Sequence, residues 1–133
     1  MSNVMVIDDD ERTVNTLTAV LNAKGHTVLG VRIHETGCYV LERGHKKPCS
    51  LQAAKTYIAD NNISVDVIFL DHLMIIGVFD GTDAARELAL PKEKLVGTSE
   101  AHQPYCHTSI LYSKHQLLNG EPLAVADFLE LAG

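Results

Sequence analysis

Residues 65–70, VDVIFL, with Asp71 directly behind them, decide the fold. Valine, isoleucine and phenylalanine crowd this run, no glycine or proline interrupts it, and it stops abruptly on an acid; these features predict a strand. Residues 3–7, NVMVI, repeat the plan and stop at Asp8. A short Val/Ile-rich run of this kind fits a strand buried on both faces whose carboxyl end meets solvent.

Helical periodicity fills the spaces around these strands. Val14, Leu17 and Leu21 recur at i, i+3 and i+7, with Asp10 and Glu11 where a helix N-terminus favours negative charge and Gly25 as a stop. Residues 26–31 read as a second strand. Residues 32–50, containing Gly37, Gly44, Pro48 and the basic cluster His45, Lys46 and Lys47, read as a long loop with a helical turn around residues 39–42. Ser50 then caps a helix with Leu51, Ala54 and Ile58 on one face, ended by Asn61 and Asn62. Beyond Asp71, a loop through Gly77 and Gly81 leads to a helix over residues 82–90 stopped by Pro91. Residues 95–98 and 110–112 are two short strands, and a last helix starts at Pro122 and buries Leu123, Ala126 and Leu129. Strands alternating with helices imply right-handed crossovers and a doubly wound, five-stranded parallel sheet with helices on both faces.

The chain's 133 residues suit one domain, 1–133, and 46% hydrophobic residues supply a core. Lys plus Arg is 11 and Asp plus Glu 17, a net charge of −6 that argues against binding nucleic acid or an anionic membrane. The longest nearly apolar stretch, residues 73–79, falls far short of the roughly 20 residues that cross a bilayer. The first residues, MSNVMVIDDD, show no signal-peptide pattern. Cys38, Cys49 and Cys106 form neither an even framework nor a CxxC pair, which fits a reducing compartment, so a cytoplasmic location is expected.

In doubly wound sheets ligands sit beyond the carboxyl ends of the strands. Those ends carry Asp8 and Asp9, Asp71, Thr98 and, just past the fifth strand, Lys114. Three converging carboxylates repel one another unless a hard divalent cation lies among them, and Mg2+ is the natural candidate because it takes oxygen ligands and shares its shell with phosphoryl groups. Taken singly, each acid reads more simply as a helix cap. His102, Cys106, His107 and His115 lie near the same edge, but their spacing fits no closed zinc site. His72 reads as a core or loop residue, and Lys46 with Lys47 as a solvated loop.

With these positions in hand, the sequence resembles the receiver domain of two-component response regulators. The resemblance rests on MVIDDDERTVNTL, VIFLDHLM, LVGTS and ILYSK and spans residues 4–131. It implies a flavodoxin-like α/β fold with strand order 2-1-3-4-5. Asp71 would accept a phosphoryl group from a phosphohistidine on a sensor histidine kinase or histidine phosphotransfer protein. Asp8, Asp9, Asp71 and the backbone carbonyl of Leu73 would hold Mg2+, Lys114 would stabilise the phosphoryl oxygens, and Thr98 would switch the binding of a downstream protein. Such a domain is a signalling receiver that catalyses its own phosphotransfer and autodephosphorylation, not a turnover enzyme.

The sequence departs from the family at several points. An apolar segment, residues 75–79, follows Met74 in place of a Met-Pro-Gly turn, and His115 stands where a cis proline usually follows the lysine. Residues 100–108, with Pro104 among them, leave room for a shortened fourth helix or none. Leu111 occupies the usual aromatic position, with Tyr112 one place later. Leu73 and Glu100 stand at the positions that tune dephosphorylation.

Three other readings compete. A pseudo-receiver would use the same fold as a phosphorylation-independent protein-binding module. An aspartyl-phosphate phosphohydrolase would want a second acid where Leu73 stands. A flavin carrier would need a phosphate-binding loop where DDDER lies, the electrostatic opposite. The chain ends at Gly133 directly behind the last expected helix, which leaves a single-domain regulator and a receiver cut from a larger protein both open.

Overall fold

The computed structural model describes residues 3–71, 75, 77–99 and 110–113. Its elements run β1 (Asn3–Asp8), α1 (Glu11–Ala23), β2 (Thr27–Arg32), β3 (Cys38–Glu42), β4 (His45–Cys49), α2 (Leu51–Asn61), β5 (Val67–Asp71), α3 (Gly81–Glu87), β6 (Leu95–Ser99) and β7 (Ile110–Ser113). They form one sheet in the order β4-β3-β2-β1-β5-β6-β7. The pairs β1–β2, β1–β5, β5–β6 and β6–β7 are parallel, so these five strands carry the expected 2-1-3-4-5 order.

Alternation within β1 explains why its sequence is apolar without a period. Val4 and Val6 pack with Val67, Phe69 and Val96 against Leu17 and Leu21 of α1. Met5 and Ile7 pack on the other face with Ile68 and Leu70 against Ala54 and Ile58 of α2 and Ala84 of α3. Each fully buried large side chain stabilises the fold by roughly 1.5–3 kcal/mol, so the two-faced burial of β1 and β5 anchors the strand ends that follow them.

The expected loop at residues 32–50 is instead largely an antiparallel hairpin. β3 pairs with the outer edge of β2, and β4 pairs with β3, extending the five expected strands to seven. Arg43 and Gly44 both have positive φ, 52° and 78°, the pattern of a two-residue type I′ turn whose twist matches its flanking strands. Residues 39–42, expected as a helical turn, therefore lie in β3. The strand β4, HKKPC, is exposed along most of its length, and proline is tolerated there because its missing N–H can face solvent at an edge. Its lysines and proline also blunt that edge against pairing with another chain.

Two smaller differences follow from local chemistry. The helix expected over residues 82–90 spans Gly81–Glu87, because Ala89 takes a left-handed φ of 50° before Pro91 is reached. Asp80 and Asp83 close its N-terminus as a reciprocal capping box. The unusual apolar segment after Met74 turns at Gly77, with Ile75 and Phe79 bonded backbone to backbone and Phe79 fully buried. Ile75 and Phe79 therefore serve the core, while Val78 stays exposed. The region of the fourth helix, residues 100–108, and the expected helix at Pro122 lie outside the described residues.

Candidate functional site

The carboxyl ends of β1 and β5 place the acids. Ile7 pairs with Leu70, so Asp8 and Asp71 follow at the next level of neighbouring strands. Both are buried, at 0% and 3% exposure, and Asp9 is half-buried. One carboxylate oxygen from each of Asp8, Asp9 and Asp71 lies within 4.8 Å of the others.

The DDD run divides its labour. Asp10 caps α1: its carboxylate accepts from the Arg12 N–H and the Thr13 hydroxyl, both at 3.0 Å. The Asp10 N–H in turn donates to Asp8 Oδ1 at 2.9 Å, which orients the first acid. The backbone around the cluster is pinned from β2. The Ile33 N–H donates to the Asp8 carbonyl at 2.9 Å, and Arg32 Nε donates to the Asp9 carbonyl at 3.0 Å. The two expected uses of the run are thus separated by geometry: Asp8 and Asp9 face the cluster and Asp10 caps the helix.

This donor set suits a hard cation. Carboxylates held this close, two of them away from water, repel strongly, and a small divalent ion with oxygen-only preference relieves that repulsion. Mg2+ accepts a few carboxylates and keeps several waters, so three acids on one side of the ion satisfy its needs. Outside the cluster opens a hollow of about 650 Å3 lined by Asp9, Asp10, Glu11, Arg12, Arg32 and His34.

The other expected residues are placed unequally. Thr98 is the β6 partner of Asp71, which sets its backbone beside the acid. Thr98 is also the partner of Tyr112 in β7, and β7 ends at Ser113, the residue before Lys114. Leu73, His72, Glu100, Lys114 and the group His102, Cys106, His107 and His115 lie outside the described residues, as does the Lys114–His115 bond.

Two contributors escaped the sequence reading. Arg32, taken as the first residue of a loop, ends β2 opposite Asp8. Lys46, taken as solvated, lies on β4, bonds Glu11 Oε1 at 2.7 Å and sits 4.4 Å from the Tyr39 ring centroid. The Lys46 hydrogen bond holds the Glu11 carboxyl below its usual range. Burial, helped by Glu11, pushes the Tyr39 hydroxyl up to about 12, and that hydroxyl donates to Asn15 of α1 at 3.2 Å. The hairpin is thereby tied to the helix that begins beside the acids. Only the Lys46 and Tyr39 partners in α1, distant in sequence, reveal this role.

No protein-family model matches the chain, and no curated protein matches it. Solved structures do. The receiver domain of a Francisella response regulator superposes with a TM-score of 0.64 at 12% identity, covering 100% of both chains. The N-terminal domain of a response regulator/sensory box/GGDEF three-domain protein from Carboxydothermus hydrogenoformans gives 0.65 at 16%, over 98% of this chain and 92% of that one. The signal receiver domain of a signal transduction histidine kinase from Syntrophus aciditrophicus gives 0.65 at 14%, over 99% and 90%. The chain has a receiver-domain fold. Within that receiver fold, the acidic cluster occupies the carboxyl edge of the parallel strands, and the β3–β4 hairpin extends the β2 side of the sheet. Among the described residues no helix is long and apolar enough to cross a membrane.

Proposed function

We propose that this chain is a phospho-accepting receiver of a two-component or phosphorelay system, with Asp71 as the acceptor. The observation that supports this reading is the gathering of Asp8, Asp9 and Asp71 within 4.8 Å at the carboxyl edge of a receiver fold. Mg2+ is the proposed cofactor, held by these three carboxylates and the Leu73 carbonyl. Bound there, it would neutralise charge on the transferring phosphoryl group.

The chain's own residues supply the rest. An Asp71 carboxylate oxygen attacks phosphorus as the P–N bond of a phosphohistidine breaks, the electron pair leaving with the imidazole nitrogen. Asp8 and Asp9 stay fixed by the Asp10 N–H, Ile33 N–H and Arg32 contacts, so little reorganisation is needed as charge shifts. The Lys114 ammonium pairs with the phosphoryl oxygens. The Thr98 hydroxyl bonds the new acyl phosphate and carries the change to the segment behind it. The phosphodonor partner is a sensor histidine kinase or histidine phosphotransfer protein, met in the cytoplasm, and the output is altered binding of a downstream protein. The chain modifies itself and turns over no separate substrate.

Incubation with acetyl phosphate and Mg2+, followed by intact mass, tests the reading. A single phosphoryl adduct is expected in the natural chain and none in Asp71→Asn or when the metal is chelated. An adduct that persists in Asp71→Asn overturns Asp71 as the acceptor, and no adduct in the natural chain with Mg2+ bound overturns the reading in favour of a phosphorylation-independent binding module.

A further inference from the structure

The hairpin brings together two cysteines that are separated by ten residues of sequence. Cys38 opens β3, Cys49 closes β4, and the two are direct cross-strand partners at the base of the hairpin. Both are free thiols, Cys38 buried and Cys49 half-buried. Directly opposed residues point to the same face of a sheet. That face is the α2 side, where Cys38 belongs to the core and Cys49 packs against it.

The register also fixes their separation. In a two-residue hairpin the residues flanking the turn form a hydrogen-bonded pair, and such pairs alternate along the ladder. Counting from Glu42 and His45 through Val40 and Lys47 makes Cys38 and Cys49 a hydrogen-bonded pair, and it puts Pro48, which has no N–H, at a position facing outward. The Cα atoms of such a pair lie about 5.5 Å apart, within the roughly 4.4–6.8 Å span of disulfides, but its Cβ atoms, also about 5.5 Å apart, must close by about 1 Å, so the bond is strained and readily reduced. A hollow beside the pair is lined by His34, Thr36, Cys38, Cys49, Ser50 and Ile75, so small reagents reach it.

We propose that Cys38 and Cys49 form a reversible cross-strand disulfide in response to hydroperoxide. The half-buried Cys49 thiolate attacks the peroxide O–O bond, giving a sulfenic acid and releasing water after protonation. The Cys38 thiol then attacks the Cys49 sulfur, the S–S bond forms, and a second water leaves. Two thiols and one hydrogen peroxide thus give one disulfide and two waters, the sulfurs being oxidised and the peroxide oxygens reduced. A thiol reductant returns both thiols by exchange. The bond closes the hairpin at its base, between the Lys46 and Tyr39 ties to α1 and the Ile75 segment that follows Asp71. The modification is independent of phosphoryl chemistry at Asp71.

The full chain carrying Cys106→Ser, which leaves these two thiols alone, provides the test. Burial and the neighbouring Cys38 push the Cys49 thiol up, against the opposing charge of Lys47, so the reaction is run at mildly alkaline pH. Hydrogen peroxide is added, then thiols are counted, oligomers are scored on non-reducing gels and disulfides are mapped by peptide mass spectrometry. The expected result is loss of both thiols in a monomer, a Cys38–Cys49 linked peptide, full recovery with dithiothreitol, and slowed amide exchange in residues 38–49. Persistence of both thiols, oxidation of Cys49 alone to sulfinic acid, or only intermolecular dimers would overturn the proposal. Cys38→Ser checks the order of attack: it is expected to trap a Cys49 sulfenic acid that dimedone captures, and absence of that adduct contradicts the assigned roles.

Discussion

Gly30 sits in β2 where α1 crosses closest. A Cβ added there would lie 2.9 Å from Val14 Cγ1, 3.2 Å from Thr18 Oγ1 and 3.3 Å from Leu41 Cβ. Val14 is fully buried and its β-branched side chain is stiff at χ1, so Gly30→Ala is expected to cost about 1–3 kcal/mol through overpacking. Urea unfolding measures it, and an unchanged or raised midpoint would show that α1 can shift away from β2. The acids themselves were legible at this scale because each ends an apolar run: Asp8 and Asp71 could be picked out by position alone. The separate job of Asp10 was half legible, since an acid before a helix reads as a cap whether or not it also faces a metal. Arg32 was not legible. Its contribution is a bond to the Asp9 carbonyl, and nothing in the local sequence around residue 32 points to a residue 23 positions earlier.

Elements differ in how much of their structure is written locally. β1, β5, α1 and α2 carry two-faced or single-faced apolar patterns that agree with the burial they receive, which is why their positions were readable to within a residue or two. The β3–β4 hairpin carries no such pattern. β4 is exposed and holds two lysines and a proline, the turn before it is Arg-Gly where Asn-Gly would have signalled a hairpin, and the pairing of β3 with β2 is decided by tertiary contacts. Those contacts give a pH dependence. Tyr39 donates to Asn15 of α1 and Tyr57 of α2 donates to Glu42 of β3, each at 3.2 Å. Burial comes first among the causes that push both hydroxyls up to about 12. A raised folded-state value means the neutral tyrosines stabilise the fold fully below the ordinary value near 10, and that this stability is lost as pH rises from 10 towards 12. Urea midpoints are therefore expected to fall over that range in the natural chain and to fall less in the double variant Tyr39→Phe, Tyr57→Phe. The double variant should itself lose about 1–3 kcal/mol at neutral pH, from two hydrogen bonds of about 0.5–1.5 kcal/mol each. Equal alkaline slopes in both proteins would show that the tyrosines do not cause the loss. The Lys46–Glu11 pair, with both side chains about half exposed, adds little beside these bonds and fades with salt.

The whole molecule works because parallel strands deliver their carboxyl ends to one edge, so that residues distant in sequence meet without any being adjacent in the chain. Alternation of strand and helix was enough to read this arrangement, and the order of the five parallel strands is the one the receiver resemblance implied. The two added strands were missed, yet they leave the acidic edge where the alternation put it, since they join beyond β2 and the acids lie on β1 and β5. The proposal that follows from this convergence is that Asp8, Asp9 and Asp71 hold one divalent cation. Mn2+ reports on such a site because its electron paramagnetic resonance signal is quenched on binding. One Mn2+ is expected to bind per chain, displaced by Mg2+, weakened by at least about tenfold in each of Asp8→Asn and Asp71→Asn, and retained in Asp10→Ala, whose loss should appear instead as about 1 kcal/mol of helix-cap stability. Mn2+ that fails to bind the natural chain, or binds Asp8→Asn and Asp71→Asn as tightly as the natural chain, would contradict it.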